Sequence, residues 1–156
     1  MTELQQQATI FGTIFILANK LQTLGDAFDK NVTIKQWLFL VSVSQFQEPP
    51  TLSEVAEVIG YSRQNAKRIA TALEESGFLT IARDTNDARA LRIRLTPKFS
   101  TYFAQREKRE LEFIRKLFDG FDAELTEGFY QGLVRLGENI LNMEKENEKF
   151  KKEIEE

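Results

Sequence analysis

The sequence predicts a mainly α-helical fold with one small β-hairpin, an α+β protein. Over most of the chain, apolar residues recur three and four positions apart, which is the spacing of an amphipathic helix. One short stretch, 91–95, instead alternates apolar and basic residues with the period of a strand. The predicted order is four helices, the hairpin and two further helices.

The composition excludes several kinds of site. The 156 residues include no His and no Cys, so the usual zinc ligands and the commonest general base near neutral pH are missing. The sequence also has no phosphate-binding loop and no nucleophile paired with a base. We therefore expect no enzyme activity, no metal and no cofactor. No apolar run approaches the roughly 20 residues of a membrane span, and we expect a cytoplasmic protein.

The first helix carries an apolar stripe. Its members alternate four and three residues apart: Ile10, Ile14, Leu17, Leu21, Leu24 and Phe28. This spacing fits packing on the chain's own core as well as contact with a second subunit. The next segment, 33–47, is apolar on almost every side, which predicts a central buried helix that is ended by Pro49 and Pro50.

Two short helices joined by a tight turn follow. Thr51 and Glu54 have the spacing of a capping box, and Gly60 is suited to end the first helix. Ser62 is predicted to cap the second helix, which reaches Ser76. The pattern is typical of a helix-turn-helix, whose second helix enters the major groove of DNA. The alternative is an ordinary amphipathic helix pair at the surface.

The second helix carries side chains suited to reading DNA. Arg can bind a guanine edge with two hydrogen bonds, Asn or Gln can bind an adenine edge, and Lys suits a phosphate. The residues of this helix predicted to contact DNA are Ser62, Arg63, Gln64, Asn65, Lys67 and Arg68.

The runs 78–83 and 90–96 are predicted to pair as a hairpin beside this helix. A basic hairpin in that place is a wing, whose tip arginine can enter the minor groove, where negative potential is concentrated. A carboxylate such as Asp87 can hold that arginine through an ion pair. The hairpin residues predicted to contact DNA are Arg83, Asp87, Arg89 and Arg92. The alternative is that these charges only cap and solubilise a turn.

With these motifs, the chain resembles the MarR family of winged-helix transcriptional regulators. The resemblance is most specific over 53–96, where a Leu-Glu-x-x-Gly-Phe-Leu segment starts at Leu73 and an Arg-Asp-x-x-Asp-x-Arg wing starts at Arg83. It implies a winged helix-turn-helix domain in which 62–76 reads the major groove and the wing, 84–90, places Arg89 in the minor groove. It also implies a homodimeric repressor on a palindromic operator.

Ala88 departs from the family pattern, because a second basic residue is common there. This departure and the net charge of −3 favour an alternative function, a winged-helix protein-interaction module that does not bind DNA. The charge is unevenly distributed, however. Residues Ser62 to Thr96 include seven basic and four acidic residues, a net of +3, whereas 99–156 include ten and fourteen, a net of −4.

The last helix, predicted to begin near Thr126, has the longest periodic pattern. Its apolar heptads contain one Asn, which is typical of a helix-pairing seam: Phe129, Leu133, Leu136, Ile140, Met143, Asn147, Phe150 and Ile154. A solvated charged tail is the alternative at its far end. The residues predicted to form the dimer interface are Ile10, Ile14, Leu17, Leu21, Leu133, Leu136, Ile140 and Met143. We accordingly assign 33–98 to DNA binding and 1–32 with 99–156 to dimerisation, within one continuous folded unit.

The resemblance also implies a small aromatic or lipophilic effector, bound between the dimerisation helices and the winged domain. The candidate pocket residues are Phe11, Phe15, Trp37, Phe39 and Phe103. For any one of them, an ordinary position in an aromatic core is the favoured explanation.

Overall fold

The computed structural model describes residues 1–155, and the side chains of residues 1–150. Its elements are α1 (Glu3–Phe28), α2 (Ile34–Ser44), α3 (Leu52–Ile59), α4 (Arg63–Glu75), β1 (Leu79–Arg83), β2 (Leu91–Leu95), α5 (Pro97–Leu117) and α6 (Ala123–Glu155). The predicted class and order of elements are confirmed. Among the described helices, none is both long and apolar enough to cross a membrane.

The helix-turn-helix forms as the sequence predicts, and local capping bonds and one glycine fix the ends of its helices. The Thr51 hydroxyl accepts from the Glu54 amide at 3.2 Å, and the Glu54 carboxylate accepts from the Thr51 amide at 2.6 Å. The bond from the Thr51 amide holds the pKa of Glu54 below its usual value. Gly60 ends α3 with φ at 68°, a left-handed conformation that a Cβ would disfavour. Ser62 then caps α4 by accepting from the Asn65 amide at 3.2 Å.

The core lies between α2, α3, α4 and the inner face of the hairpin. Phe39 and Leu40 of α2, Leu73 of α4, Leu79 of β1 and Ile93 of β2 are all fully buried. The two strands pair antiparallel. Because an isolated two-stranded hairpin is at best marginally stable, its burial against the helices is what stabilises it.

Helix α2 ends at Ser44, so the prediction that Pro49 and Pro50 end it was wrong. The chain has already turned at Phe46, whose amide donates to a carbonyl three residues back at 3.3 Å. This tighter bonding is common where an α-helix ends. Pro50 instead contacts the hairpin, since its carbonyl accepts from the Ile93 amide at 2.9 Å.

Helix α6 begins at Ala123, three residues before the predicted start at Thr126. The cause is Asp122, whose carboxylate accepts from the Leu125 amide at 2.8 Å and so caps the new helix. The side chain of Ile154, the last member of the predicted seam, lies outside the described residues.

The chain divides into two compact units, 1–105 and 106–156. Within the first unit, the C-terminal end of α1 packs on the start of α2. A Cβ at Gly25 would come within 2.7 Å of the Ile34 side chain, and the Asp26 carboxylate accepts from the Ile34 amide at 2.7 Å. In the structure, α1 therefore belongs to the same compact unit as the helix-turn-helix. The predicted domains were divided by function, with 1–32 assigned to dimerisation and 33–98 to DNA binding, and this division stays a prediction.

Candidate nucleic-acid interface

Helix α4 has one buried and one exposed face. Its buried residues are Ala66, Ile69, Ala70 and Leu73. Its exposed polar residues are Arg63, Gln64, Lys67, Arg68, Thr71, Glu74 and Glu75. Because helix residues three and four apart are neighbours, these side chains form one polar stripe that starts at the N-terminal end of α4.

Three of the residues predicted to contact DNA, Ser62, Asn65 and Arg68, also form bonds at the start of α4. The Ser62 hydroxyl is the cap of the helix. Asn65 is half-buried, and its Oδ1 accepts from Nη2 of Arg68 at 3.0 Å. This bond restrains the Arg68 guanidinium on the exposed face, which lowers the entropy lost when it binds a partner.

The tip of the hairpin is organised by Asp84, whose side chain is only 5% exposed. Its Oδ1 accepts from the amides of Asn86 at 2.7 Å and Asp87 at 2.9 Å, and its Oδ2 accepts from Nε of Arg92. Nη1 of Arg92 in turn donates to the Pro49 carbonyl at 2.6 Å. One ion pair therefore ties the hairpin tip to β2 and to the loop before α3.

The expected ion pair between Asp87 and Arg89 is not among the bonds of the described residues, and this expectation is corrected. Asp87 Oδ1 accepts from the backbone amide of Arg89 at 2.9 Å, in the local pattern that Asp commonly forms two residues before an amide. Asp87 therefore fixes the turn, and the acid that binds an arginine is Asp84. The Arg83 and Arg89 side chains are both exposed.

The bonds to Asp84 also determine its charge state. The hydrogen bond from Arg92, followed by those from the amides of Asn86 and Asp87, lowers the pKa of Asp84 from 3.8 to about 2. The same bond raises the pKa of Arg92. The pair is therefore fully ionised at neutral pH.

The residues predicted to form the dimer interface are uncovered or only half-buried in the single chain. In α1, Ile10 and Leu17 are exposed and Ile14 and Leu21 are half-buried. In α6, Leu133, Leu136, Ile140 and Met143 are exposed, the last by 61%. An uncovered apolar stripe of this kind, on either helix taken by itself, is typical of an interaction surface.

The residues predicted for an effector pocket lie in different surroundings. Phe11 and Phe15 contact each other edge to face on the exposed part of α1. Phe39 is fully buried in the core, while Trp37 and Phe103 are half-buried against it. None of the five lines either of two cavities found among the described residues.

The smaller of those cavities, about 280 Å³, lies between α1, α2 and α4. Its lining residues are Gln22, Asp26, Thr33, Lys35, Gln36, Arg68, Ile69 and Ala72. No sequence pattern indicates this cavity, because its lining comes from three elements that are distant in the chain and share no motif.

These features define a winged helix-turn-helix domain, with α4 as its recognition helix and the β1–β2 hairpin as its wing. Residues 30–90 match a family model described as MarR family. Over this segment the chain is similar to the MarR family, which confirms the resemblance found from the sequence.

Solved structures extend the shared fold to most of the chain. A MarR/EmrR family transcriptional regulator from Acinetobacter sp. ADP1 is 18% identical, with a TM-score of 0.75, over 90% of this chain and 99% of that one. A MarR transcriptional regulator from Methanosarcina mazei Go1 is 21% identical, with a TM-score of 0.77, over 87% and 99%. The PcaV transcriptional regulator from Streptomyces coelicolor, solved in complex with its natural ligand, is 20% identical, with a TM-score of 0.67, over 78% and 89%.

The Asp84 and Arg92 pair predicts a specific dependence of stability on pH. Because the pKa of Asp84 is lower in the folded chain, the pair stabilises the fold above pH 4, and this stabilisation is lost as pH falls towards about 2. We expect Asp84→Asn and Arg92→Gln to lower the melting temperature at pH 7, and the difference from wild type to shrink between pH 4 and pH 2. Circular dichroism melts across this range measure it. A difference that stays constant with pH would contradict the prediction.

Proposed function

We propose that the chain is a homodimeric regulator of transcription that binds a specific DNA sequence and represses from it. The observation that carries the proposal is the exposed polar stripe of α4, joined to a basic wing in a MarR-family domain. The segment that holds both has a net charge of +3, which favours contact with phosphates. With DNA as its partner, the protein would act in the cytoplasm and would need no catalytic group.

The two DNA-contacting parts have different tasks in this proposal. Helix α4 enters the major groove, where Gln64 and Asn65 read base edges and Lys67 binds a phosphate. Arg89 at the wing tip enters the minor groove. Arg92 positions the wing, because its guanidinium already donates to Asp84 and to the Pro49 carbonyl.

A homodimer would supply two such domains. The uncovered apolar faces of α1 and α6 support this arrangement, since both lack a cover in the single chain. Two recognition helices related by a two-fold axis meet half-sites about 10 bp apart, so the operator would be an imperfect palindrome.

The proposal also includes a small-molecule effector, whose binding would release the protein from DNA. PcaV was solved with its natural ligand, and here the 280 Å³ cavity reaches the recognition helix through Arg68, Ile69 and Ala72. Lys35 and Arg68 beside these two apolar side chains suit a small molecule with a negative group. We therefore place the effector in this polar cavity, and not among the phenylalanines that the sequence indicated.

Selection from random duplexes with the purified protein tests DNA binding and palindromy together. On the selected site, we expect Arg89→Ala to weaken binding by about tenfold and to reduce the salt slope by about one for each lost contact. Gln64→Ala or Asn65→Ala should instead change the preferred bases. The control is Arg115→Ala, which removes a positive charge outside the proposed interface. If all these variants bind as wild type does, or no site is selected, the protein-interaction module becomes the better assignment.

A charged substitution in the apolar helix-pairing seam of α6 tests whether the protein forms a dimer through this helix. Ile140→Asp should convert the dimer to monomer in sedimentation velocity, because an unpaired carboxylate would be buried at the interface. The matched control is Asn142→Asp, which adds the same charge on the opposite side of α6. Equal sedimentation of both variants with wild type would contradict an interface at Ile140.

The effector site is tested with benzoate as an anionic aromatic probe, titrated into the protein–DNA complex. Lys35→Ala should raise the benzoate concentration for half-release at least about fivefold, the effect of losing one charged contact. The control is Lys30→Ala, an exposed lysine outside the cavity lining. Identical release curves for the two variants would remove the cavity from the proposal.

A further inference from the structure

The wing is joined to the recognition helix by a bond that none of the proposed DNA contacts uses. Glu74 lies in the last turn of α4, and its Oε1 accepts from the backbone amide of Ile81 at 2.7 Å. Ile81 is the middle residue of β1, the outer strand of the wing. A side chain of the recognition helix thus holds the wing at its centre.

The amide of Ile81 faces away from the partner strand. In the part of the chain that the structure describes, the sheet consists of β1 and β2. At the ends of their pairing, the amides of Thr96 and Asp84 bond across the hairpin, to the carbonyls of residues 78 and 90. Along an antiparallel strand, the backbone groups of alternate residues point towards the partner strand. Residues 78 and 84 bond to the partner strand, and Ile81 is an odd number of positions from both. The amide of Ile81 therefore lies on the free edge of β1. Glu74 supplies the partner that an edge strand lacks.

Position 74 is otherwise unfavourable for an acid. A carboxylate in the last turn of a helix is close to the negative end of the helix dipole, and the last turn of α4 contains no basic residue. Lys98 offsets part of this cost from outside, because its Nζ donates to the Ser76 carbonyl at 2.6 Å. The neighbouring Glu75 has the same charge but no bond among those of the described residues, which makes Glu74 the acid with a specific task.

We propose that Glu74 is a positioning residue that sets the angle between the recognition helix and the wing, so that the two groove contacts form together. This inference rests on the proposed DNA-binding function. The Asp84 and Arg92 pair holds the tip and β2, while Glu74 holds the middle of β1. Without Glu74 the hairpin stays folded, since Leu79 and Ile93 remain buried, but the middle of β1 loses its bond to α4.

The contact itself is tested by amide hydrogen exchange in the free protein. Glu74→Ala should speed exchange of the Ile81 amide, whereas Glu74→Gln should keep it slow, because a Gln carbonyl can still accept the bond. The matched control is Glu75→Ala, which removes the same charge from the same helix turn. Unchanged Ile81 exchange in Glu74→Ala would overturn the proposal without any DNA measurement.

Coupling to the wing contact is tested by a double-mutant cycle on the selected duplex. Glu74→Ala should weaken binding about twofold to tenfold relative to Glu75→Ala, as expected for one lost hydrogen bond. Arg89→Ala should then cost much less in the Glu74→Ala protein than in wild type, because the wing contact is already impaired. Glu74→Gln should restore the full Arg89 effect, which a general loss of stability would not explain.

The outcomes separate this inference from the function on which it rests. If wild type binds a selected duplex but the Glu74→Ala and Arg89→Ala effects simply add, Glu74 does not set the wing angle and the DNA-binding function stands. If wild type binds no duplex, the proposed function fails, while the hydrogen-exchange result still decides whether Glu74 fixes β1.

Discussion

The burial of one face of the hairpin against α2, α3 and α4 is the constraint on which the rest of the structure depends. Two strands of five residues do not fold alone, so Leu79 and Ile93 must lie in the helical core for a wing to exist. Polar bonds then fix its orientation, since apolar contacts are not directional. Two of these bonds are accepted by backbone carbonyls of loop residues, that of Arg92 by Pro49 and that of Thr96 by Gly77.

The sequence predicts the features that depend on neighbouring residues, and it mostly misses those that depend on contacts between distant parts of the chain. The capping box at Thr51, the turn at Gly60 and the strand pattern over 91–95 are local, and each is confirmed. The end of α2 was misjudged, because the chain turns where Phe46 packs on the core, a tertiary effect that local proline rules do not contain. The start of α6 was misplaced because the cap at Asp122 was overlooked, although its signal is local.

The acid that binds an arginine in the wing was also misassigned, for a physical reason. Asp87 is close to Arg89 in sequence, but a short acid in a turn is better placed to accept from a backbone amide. Asp84 and Arg92 are eight residues apart, and the antiparallel register makes them diagonal neighbours. The hairpin register, once predicted, could have identified this pair from the sequence. Glu74 had no such signal, since its partner is a backbone amide. The positions of the exposed polar side chains on α4 were predictable because helical periodicity determines them.

If the uncovered stripes of α1 and α6 mediate the proposed dimer, they affect how the protein responds to its own abundance. If each operator needs two chains that associate through these helices, occupancy at low concentration rises with the square of the chain concentration. A small change in synthesis then produces a larger change in the fraction of operators bound. In a protein that depends on such a dimer, chains that have folded but not yet paired would be prone to non-specific association, because Phe11, Phe15 and Met143 are exposed to water in the single chain.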